Sequence, residues 1–402
     1  MDFAPEDTDS ALAAAGVQRV RVSGHKHEVL CVCSGAQQPH QPYAQILSGS
    51  ADGTVRVWDL GRDDVKRARA SRCLLVPEKC AVQAVAVSPT GRPHEVFAAA
   101  GTMLYSFDLR ADGVLLREPF WSRGVPGTTS NNVLSALAKE TDAHVNEINS
   151  IDVSVNGQHA AVCDDAGNVR IVDLDDSRRA FRVMPRLHQN IATSVAFRPH
   201  EPWQLISAGL DAYAALWDFR RARVLHTWNL NVLGGTDDGS SEPNAQMVNP
   251  PWVHSVAESP SGCVLAFGTQ PGRIFIQDVP PRGPTSLPSG SKGKKQDHAE
   301  LKPSCAGESS VVGTWLSGPH SGPVAALAFW DDTLLVSGSA GRDKCFALWR
   351  VRPAMREAPP IAVVKNHAKI NALCVVDDTQ GTAPLICVAD QTPELSLYRF
   401  LL

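Results

Sequence analysis

The chain has 402 residues, with 42 acidic against 38 basic side chains and a formal net charge of −4. So small a charge excludes a protein that grips nucleic acid through a basic surface. Hydrophobic residues make up 43% and charged residues 20%, the values of a folded globular chain. No apolar run reaches the ~18 residues of a membrane span. Residues 1–16 carry Asp2, Glu6, Asp7 and Asp9, which suits a flexible acidic segment and not a secretory signal. The ten cysteines include no CxxC pair. They read as free thiols of a reducing compartment, cytoplasm and/or nucleus, with no zinc spacing.

In chain order, residues 17–22 alternate and predict an outer strand. Residues 29–33 predict an apolar strand in which Cys31 and Cys33 share a face with Val29. Next comes a phrase that recurs: an apolar strand, a polar or Gly turn, then an alternating strand closed by an aromatic or apolar residue. Its clearest copies are 46–58, 205–217 and 335–349, ending at Trp58, Trp217 and Trp349. Weaker copies end at Phe107, Val172, Gln277 and Tyr398. The shorter gaps between these seven endings, 45 and 49 residues, fit the period of a four-stranded propeller blade. The longer gaps hold segments rich in Gly, Ser, Asn, Asp, Pro or Lys near 123–141, 234–249 and 280–310. Such segments bury too little to offset the entropy of ordering them, so mobile loops are expected there.

Each unit also has a front half. His25, His144, His188 and His320 each precede the first residue of a strand by four, and His367 does so by three. Glu78 and Asn249 take the place in the second and fifth units. Asp52, Asp211 and Asp343 each lie six residues before their Trp. The three groups are thus placed for buried structural networks, His25–Asp52–Trp58, His188–Asp211–Trp217 and His320–Asp343–Trp349. A catalytic or metal role for the histidines is the competing reading.

This pattern resembles the WD-repeat family of β-propellers, over roughly residues 17–402. The phrase is specific in the first, fourth and sixth units and compatible elsewhere. The resemblance implies an all-β fold, a closed seven-bladed WD-repeat β-propeller. In that family the N-terminal strand usually completes the last blade, and 17–22 is a spare strand where 398–402 reads as a third strand without a fourth. Residues 143–151, 163–174, 188–199 and 206–211 resemble one subfamily within it more closely.

Catalytic patterns fail on inspection. There is no HExxH, and 290–295 lacks the Gly and Ser/Thr of a phosphate loop. Gly338-Ser-Ala-Gly341 is one residue short of a nucleophile elbow. The pairs Asp164–Asp165 and Asp331–Asp332 read as solvated turn carboxylates. We therefore expect no enzyme, cofactor or metal, and a rigid monomeric platform whose partners are proteins, with no direct contact to nucleic acid or membrane.

One motif narrows the expectation. Trp217-Asp218-Phe219-Arg220 is a WDxR box, and Phe107-Asp108-Leu109-Arg110 is a degenerate copy. They are similar to the boxes of WD-repeat substrate receptors of cullin-4 RING ubiquitin ligases, among which the resembled subfamily is counted. Those receptors use such an arginine to dock on the damage-specific DNA-binding adaptor. The resemblance implies partner-binding roles for Arg220, Asp218, Arg110 and Asp108, with Arg220 on an exposed rim. A salt bridge or cap within the blade is the plainer reading of the same arginine. The alternative function is a ubiquitin-independent scaffold or peptide reader at the channel mouth, with Asp164 and Asp165 among its carboxylates.

Overall fold

The computed structural model describes residues 12, 16–37, 44–60, 69–88, 90–125, 146–176, 178, 180–233, 250–279, 313–351, 359–376 and 385–400. Seven antiparallel sheets follow one another along the chain. The first is β2 (Val29–Gln37), β3 (Ala44–Ser50), β4 (Thr54–Trp58) and β5 (Ala70–Leu75). The second is β6 (Val82–Ser88), β7 (Arg92–Ala100), β8 (Met103–Asp108) and β10 (Trp121–Gly124). The two-residue strand β9 (Leu115–Leu116) adds in parallel to β5, tying the second unit to the first sheet. The third is β11 (Ile148–Val153), β12 (His159–Asp164), β13 (Val169–Asp173) and β14 (Phe181–Val183). The fourth is β15 (Ala192–Phe197), β16 (Gln204–Gly209), β17 (Tyr213–Asp218) and β18 (Arg223–Asn229).

A single helical turn, Leu230–Leu233, follows β18. The fifth sheet is β19 (Val253–Glu258), β20 (Val264–Thr269), β21 (Ile274–Asp278) and β22 (Thr314–Leu316). The sixth is β23 (Val324–Phe329), β24 (Leu334–Ser339), β25 (Cys345–Arg350) and β26 (Ala362–Lys365). In the seventh, β27 (Ile370–Val376), β28 (Leu385–Asp390) and β29 (Glu394–Phe400) are completed by β1 (Val17–Ser23). The register runs from Val17 opposite Phe400 to Ser23 opposite Glu394. The expected closure by the N-terminal strand is therefore present.

The first strand of each sheet packs on the first strand of the next, and β27 packs back on β2, so the seven blades close a ring. Second strands such as β16, β20 and β28 are buried at every residue. They lie between two neighbouring blades and so read as continuous apolar or small-residue runs. Apolar clusters fill the seams between blades; one joins Trp58 and Ile46 of the first to Cys387 and Leu397 of the last.

A feature invisible to alternation repeats in all seven first strands. Each carries a β-bulge after its opening residue: Val29/Cys31, Val82/Ala84, Ile148/Ser150, Ala192/Ser194, Val253/Ser255, Val324/Ala326 and Ile370/Ala372. The bulge re-aims a side chain. The bulged Asn149, Thr193 and Asn371 donate to the backbone carbonyls of Ala192, Val253 and Val29, each in the next blade. Cys31 and Ser255, one residue further on, do the same toward Val82 and Val324. The bulge breaks the expected simple alternation of Cys31 and Cys33 with Val29; Val29 and Cys31 are buried and Cys33 is half-buried.

The expected inserts at 234–249 and 280–310 lie outside the described residues. So does most of 123–141, but Arg123 belongs to β10, so that blade extends further than its composition suggests. Of the acidic segment 1–16, only residues 12 and 16 are described. Every described cysteine is a free thiol. Among the described residues no helix is long and apolar enough to cross a membrane.

Candidate docking surface

The buried networks fix the turns that carry the exposed residues. In the first blade Trp58 donates from Nε1 to Ser48 Oγ at 2.8 Å, and Ser48 Oγ lies 2.8 Å from His25 Nε2. His25 Nδ1 lies 3.3 Å from Asp52 Oδ2. A carboxylate only accepts, so Nδ1 carries the proton and Nε2 accepts from Ser48. The fourth blade repeats this through Trp217, Ser207, His188 and Asp211, and the sixth through Trp349, Ser337, His320 and Asp343. All nine predicted network residues are thus brought together, three by three, through a strand serine.

Burial lowers the pKa of His25 and of His320, and their Asp52 and Asp343 partners oppose this without offsetting it. Burial pushes the Asp52 carboxyl up, but hydrogen bonds from His25, Thr54 and the Lys26 amide together outweigh it, so it ends well below the usual range. In the first and sixth blades a glycine lies against the tryptophan ring: a Cβ on Gly24 would stand 2.7 Å from Trp58 Cη2, and one on Gly318 would stand 2.5 Å from Trp349 Cη2.

The remaining blades solve the same problem differently. In the seventh, Tyr398 donates to Asn366 Oδ1 at 2.7 Å and Asn366 donates to Asp390 Oδ2 at 2.8 Å. Asn366, four residues before Ile370, therefore takes the place expected for His367, which flanks Asp390 at 3.5 Å. In the third blade Asp164 is fully buried and paired with Arg170 and Asn168. This corrects the expectation of a solvated turn carboxylate. Asp165 accepts from Asn149 and from the Glu147 amide. Both are thus engaged within the blade. His144 and Asn249 lie outside the described residues.

Arg220 and Arg110 occupy the same offset in two turns and differ in what they meet. Asp108 binds Arg110 back on itself through Nε and Nη2, with contacts of 2.8–3.2 Å, while the Arg110 side chain is 72% exposed. The side-chain bond from Arg110 holds Asp108 below its ordinary range. Asp218, by contrast, caps its turn by accepting from the Arg221 amide at 3.1 Å, and Arg221 Nε stands 3.9 Å from its other oxygen. Arg220 is exposed, as expected, and among the described residues it has no hydrogen bond or ion pair. Its guanidinium lies over the ring of Trp203, 5.4 Å from the centroid.

Trp203 is a residue the sequence reading missed. It sits between β15 and β16, is 40% exposed, and accepts from the Phe219 amide at 3.0 Å. Phe219 is buried and meets the rings of Trp203, His159 and Phe197 at 5.2–5.7 Å. Together Trp203, Phe219, Arg220, His159, Asp173 and Arg182 border a cleft of about 160 Å³ at the seam of blades three and four. The alternation that puts Phe219 inward beside Trp217 was the one available signal.

Seven blades closed into a ring form a β-propeller, and the first, fourth and sixth share a His–Ser–Trp–Asp network. The family model described as WD domain, G-beta repeat matches residues 16–59 and 136–173. The fourth and sixth units, whose networks are complete, lie outside those two stretches. The chain is similar to the WD repeat-containing protein 53 homolog of Dictyostelium discoideum, 27% identical over 277 residues. The matched region covers 64% of this chain, and the chain spans 64% of that relative's length.

Proposed function

We propose that this protein is a non-catalytic interaction scaffold and serves as a substrate-receptor subunit of a cullin-4 RING ubiquitin ligase, in the cytoplasm or nucleus. The turn holding Arg220 docks on the damage-specific DNA-binding adaptor. One observation carries the reading: an exposed guanidinium, without a hydrogen bond or ion pair among the described residues, lies over an exposed tryptophan of its own blade beside a cleft. Its donors are available to a partner carboxylate or carbonyl. The ring beneath limits its rotamers, which lowers the entropy lost on docking. The similarity to the WD repeat-containing protein 53 homolog supports the scaffold part of this reading. Of the carboxylates considered for the alternative channel-mouth reader, Asp164 is fully buried and paired with Arg170.

The test is a binding titration of the purified adaptor against the parent chain, Arg220→Ala and Arg110→Ala. Arg220→Ala should lose more than ~2 kcal/mol of binding, as an interface hot spot does. Arg110→Ala should change little, because Asp108 already satisfies it. An adaptor that ignores the parent chain would refute the reading and favour the ubiquitin-independent scaffold.

A further inference from the structure

The sixth blade departs from the first and fourth at one position of its network. Two residues after the network carboxylate, the first blade has Thr54, whose hydroxyl donates to Asp52 Oδ1 at 2.6 Å. The fourth has Tyr213, which contributes its amide to Asp211. The sixth has Cys345, and its Sγ stands 3.0 Å from Asp343 Oδ2 and 3.6 Å from His320 Nδ1. With the 3.3 Å between His320 Nδ1 and Asp343 Oδ2, three different ligand atoms form a closed triangle.

That triangle has the dimensions of one face of a zinc tetrahedron. Bonds of about 2.0–2.1 Å to nitrogen, 2.3 Å to sulfur and 2.0–2.2 Å to oxygen set N···O at about 3.3 Å and N···S at about 3.6 Å. Both edges match. The S···O edge would be about 3.6 Å on the same geometry, so a cation would push sulfur and carboxylate apart by roughly half an ångström.

Two of the three ligands, His320 and Asp343, are also oriented from behind, as ligands of a bound metal are. His320 Nε2 meets Ser337 Oγ at 2.6 Å, and that oxygen takes the Trp349 Nε1 proton at 2.7 Å. Asp343 Oδ1 accepts from Ser321 Oγ, Ser339 Oγ and the Ser321 amide at 2.8–3.2 Å, which leaves Oδ2 for the cation. The His320 side chain is fully shielded and that of Asp343 is 11% exposed.

We propose that the sixth blade binds a thiophilic divalent cation of the zinc class through His320 Nδ1, Asp343 Oδ2 and Cys345 Sγ, with a solvent water as fourth ligand. Thiolate and carboxylate together neutralise the ion. Binding releases the Cys345 thiol proton to solvent and swaps the imidazole tautomer by solvent exchange: Nδ1 loses its proton and offers its lone pair to the cation, while Nε2 gains one and donates it to Ser337 Oγ. The metal would clip the segment before β23 to the turn between β24 and β25, a role that blades one and four leave to hydrogen bonds alone.

The experiment measures metal on the full chain. Zinc chloride is titrated against a chromophoric chelator, and cobalt chloride is added separately to look for a thiolate-to-cobalt charge-transfer band. The wild type should take up one equivalent per chain in competition with the chelator and show the band. Cys345→Thr, which restores the hydroxyl of the first blade and so should fold, should bind at least tenfold more weakly and lose the band. Asp343→Asn should weaken uptake as well. Equal uptake by wild type and Cys345→Thr would place the metal on other thiols and overturn the proposal. Absence of uptake by a wild type with native circular dichroism would overturn it too.

Discussion

Asn371, the bulged residue of the last blade's inner strand, donates from Nδ2 to the carbonyl oxygen of Val29 in the first blade at 2.9 Å. These residues are 342 positions apart in sequence. Their bond joins the two blades at which the ring is closed, next to the β1–β29 pairing. Asn149 and Thr193 make the equivalent bond between blades three and four and between four and five.

Removing that closing bond should weaken the whole ring. Asn371→Ala is expected to lower the unfolding free energy by about 1–2 kcal/mol, because a half-buried carbonyl loses its donor. Urea unfolding of the full chain reads this directly. An unchanged midpoint would mean that the apolar seam and β1 close the ring without it.

The network tryptophans should matter more than their carboxylates. Trp217→Ala should cost about 3–5 kcal/mol, since a fully buried indole leaves a large cavity between blades. Asp211→Ala should cost about 1–3 kcal/mol, because His188 and the Gln189 and Tyr213 amides lose their acceptor. Near-neutral melts for both would deny the network a structural role.

One turn position invites opposite substitutions. Gly53 has φ 74°, and a Cβ there would stand 2.7 Å from the Lys79 backbone. Lys344 holds the corresponding place in the sixth blade with φ 47°. Gly53→Ala should destabilise by more than ~1 kcal/mol, whereas Lys344→Gly should gain about 0.5–1 kcal/mol by relieving left-handed strain. Thermal denaturation of the two variants should therefore move in opposite directions; a shared direction would contradict the backbone assignment.

The first network should also make stability depend on pH in a defined direction. Burial lowers the folded-state pKa of His25, so the unfolded chain takes up its proton first as pH falls. The stability due to this histidine is present above its unfolded value of ~6.5 and is lost as pH drops through the lower folded value. The stability gap between wild type and His25→Gln should accordingly narrow from pH ~7.5 to ~5. Urea titrations at the two pH values check it, and a gap that widens toward acid would reverse the sign. Asp152 and Glu258 act oppositely, since burial raises them to about 6 and about 7, which is why the variant difference is the quantity to follow.

The seven units, their third-strand endings and the three His–Asp–Trp sets were legible in the sequence because each rests on local chemistry. A buried strand needs apolar alternation, a tight turn needs Gly or Asp, and the network Asp lies six residues before its Trp in each of the three sets. The same reading failed where a different side chain fills a network position. Asp164 read as a solvated turn residue, although Arg170, six residues on at the place of a network tryptophan, folds back onto it. His367 read as a network histidine although its offset of three, one short of the other units, is where Asn366 takes over.

Sequence alone thus determined the blade count and the three His–Asp–Trp networks, since period-2 patterning and turn chemistry act within a few residues; the closing role of the 17–22 strand came from the resemblance to the family together with a spare strand at one end. Tertiary structure alone decided three other matters. It placed a bulge in every inner strand and so turned Asn149, Thr193 and Asn371 toward the next blade. It set Cys345 against His320 and Asp343. And it separated two arginines with the same local motif: Arg110 closes on Asp108, while Arg220 lies on Trp203, a ring delivered by another loop of its blade. Such outcomes depend on which surfaces meet once the sheets are packed, and side-chain partners chosen across packed sheets leave no periodic trace along the chain.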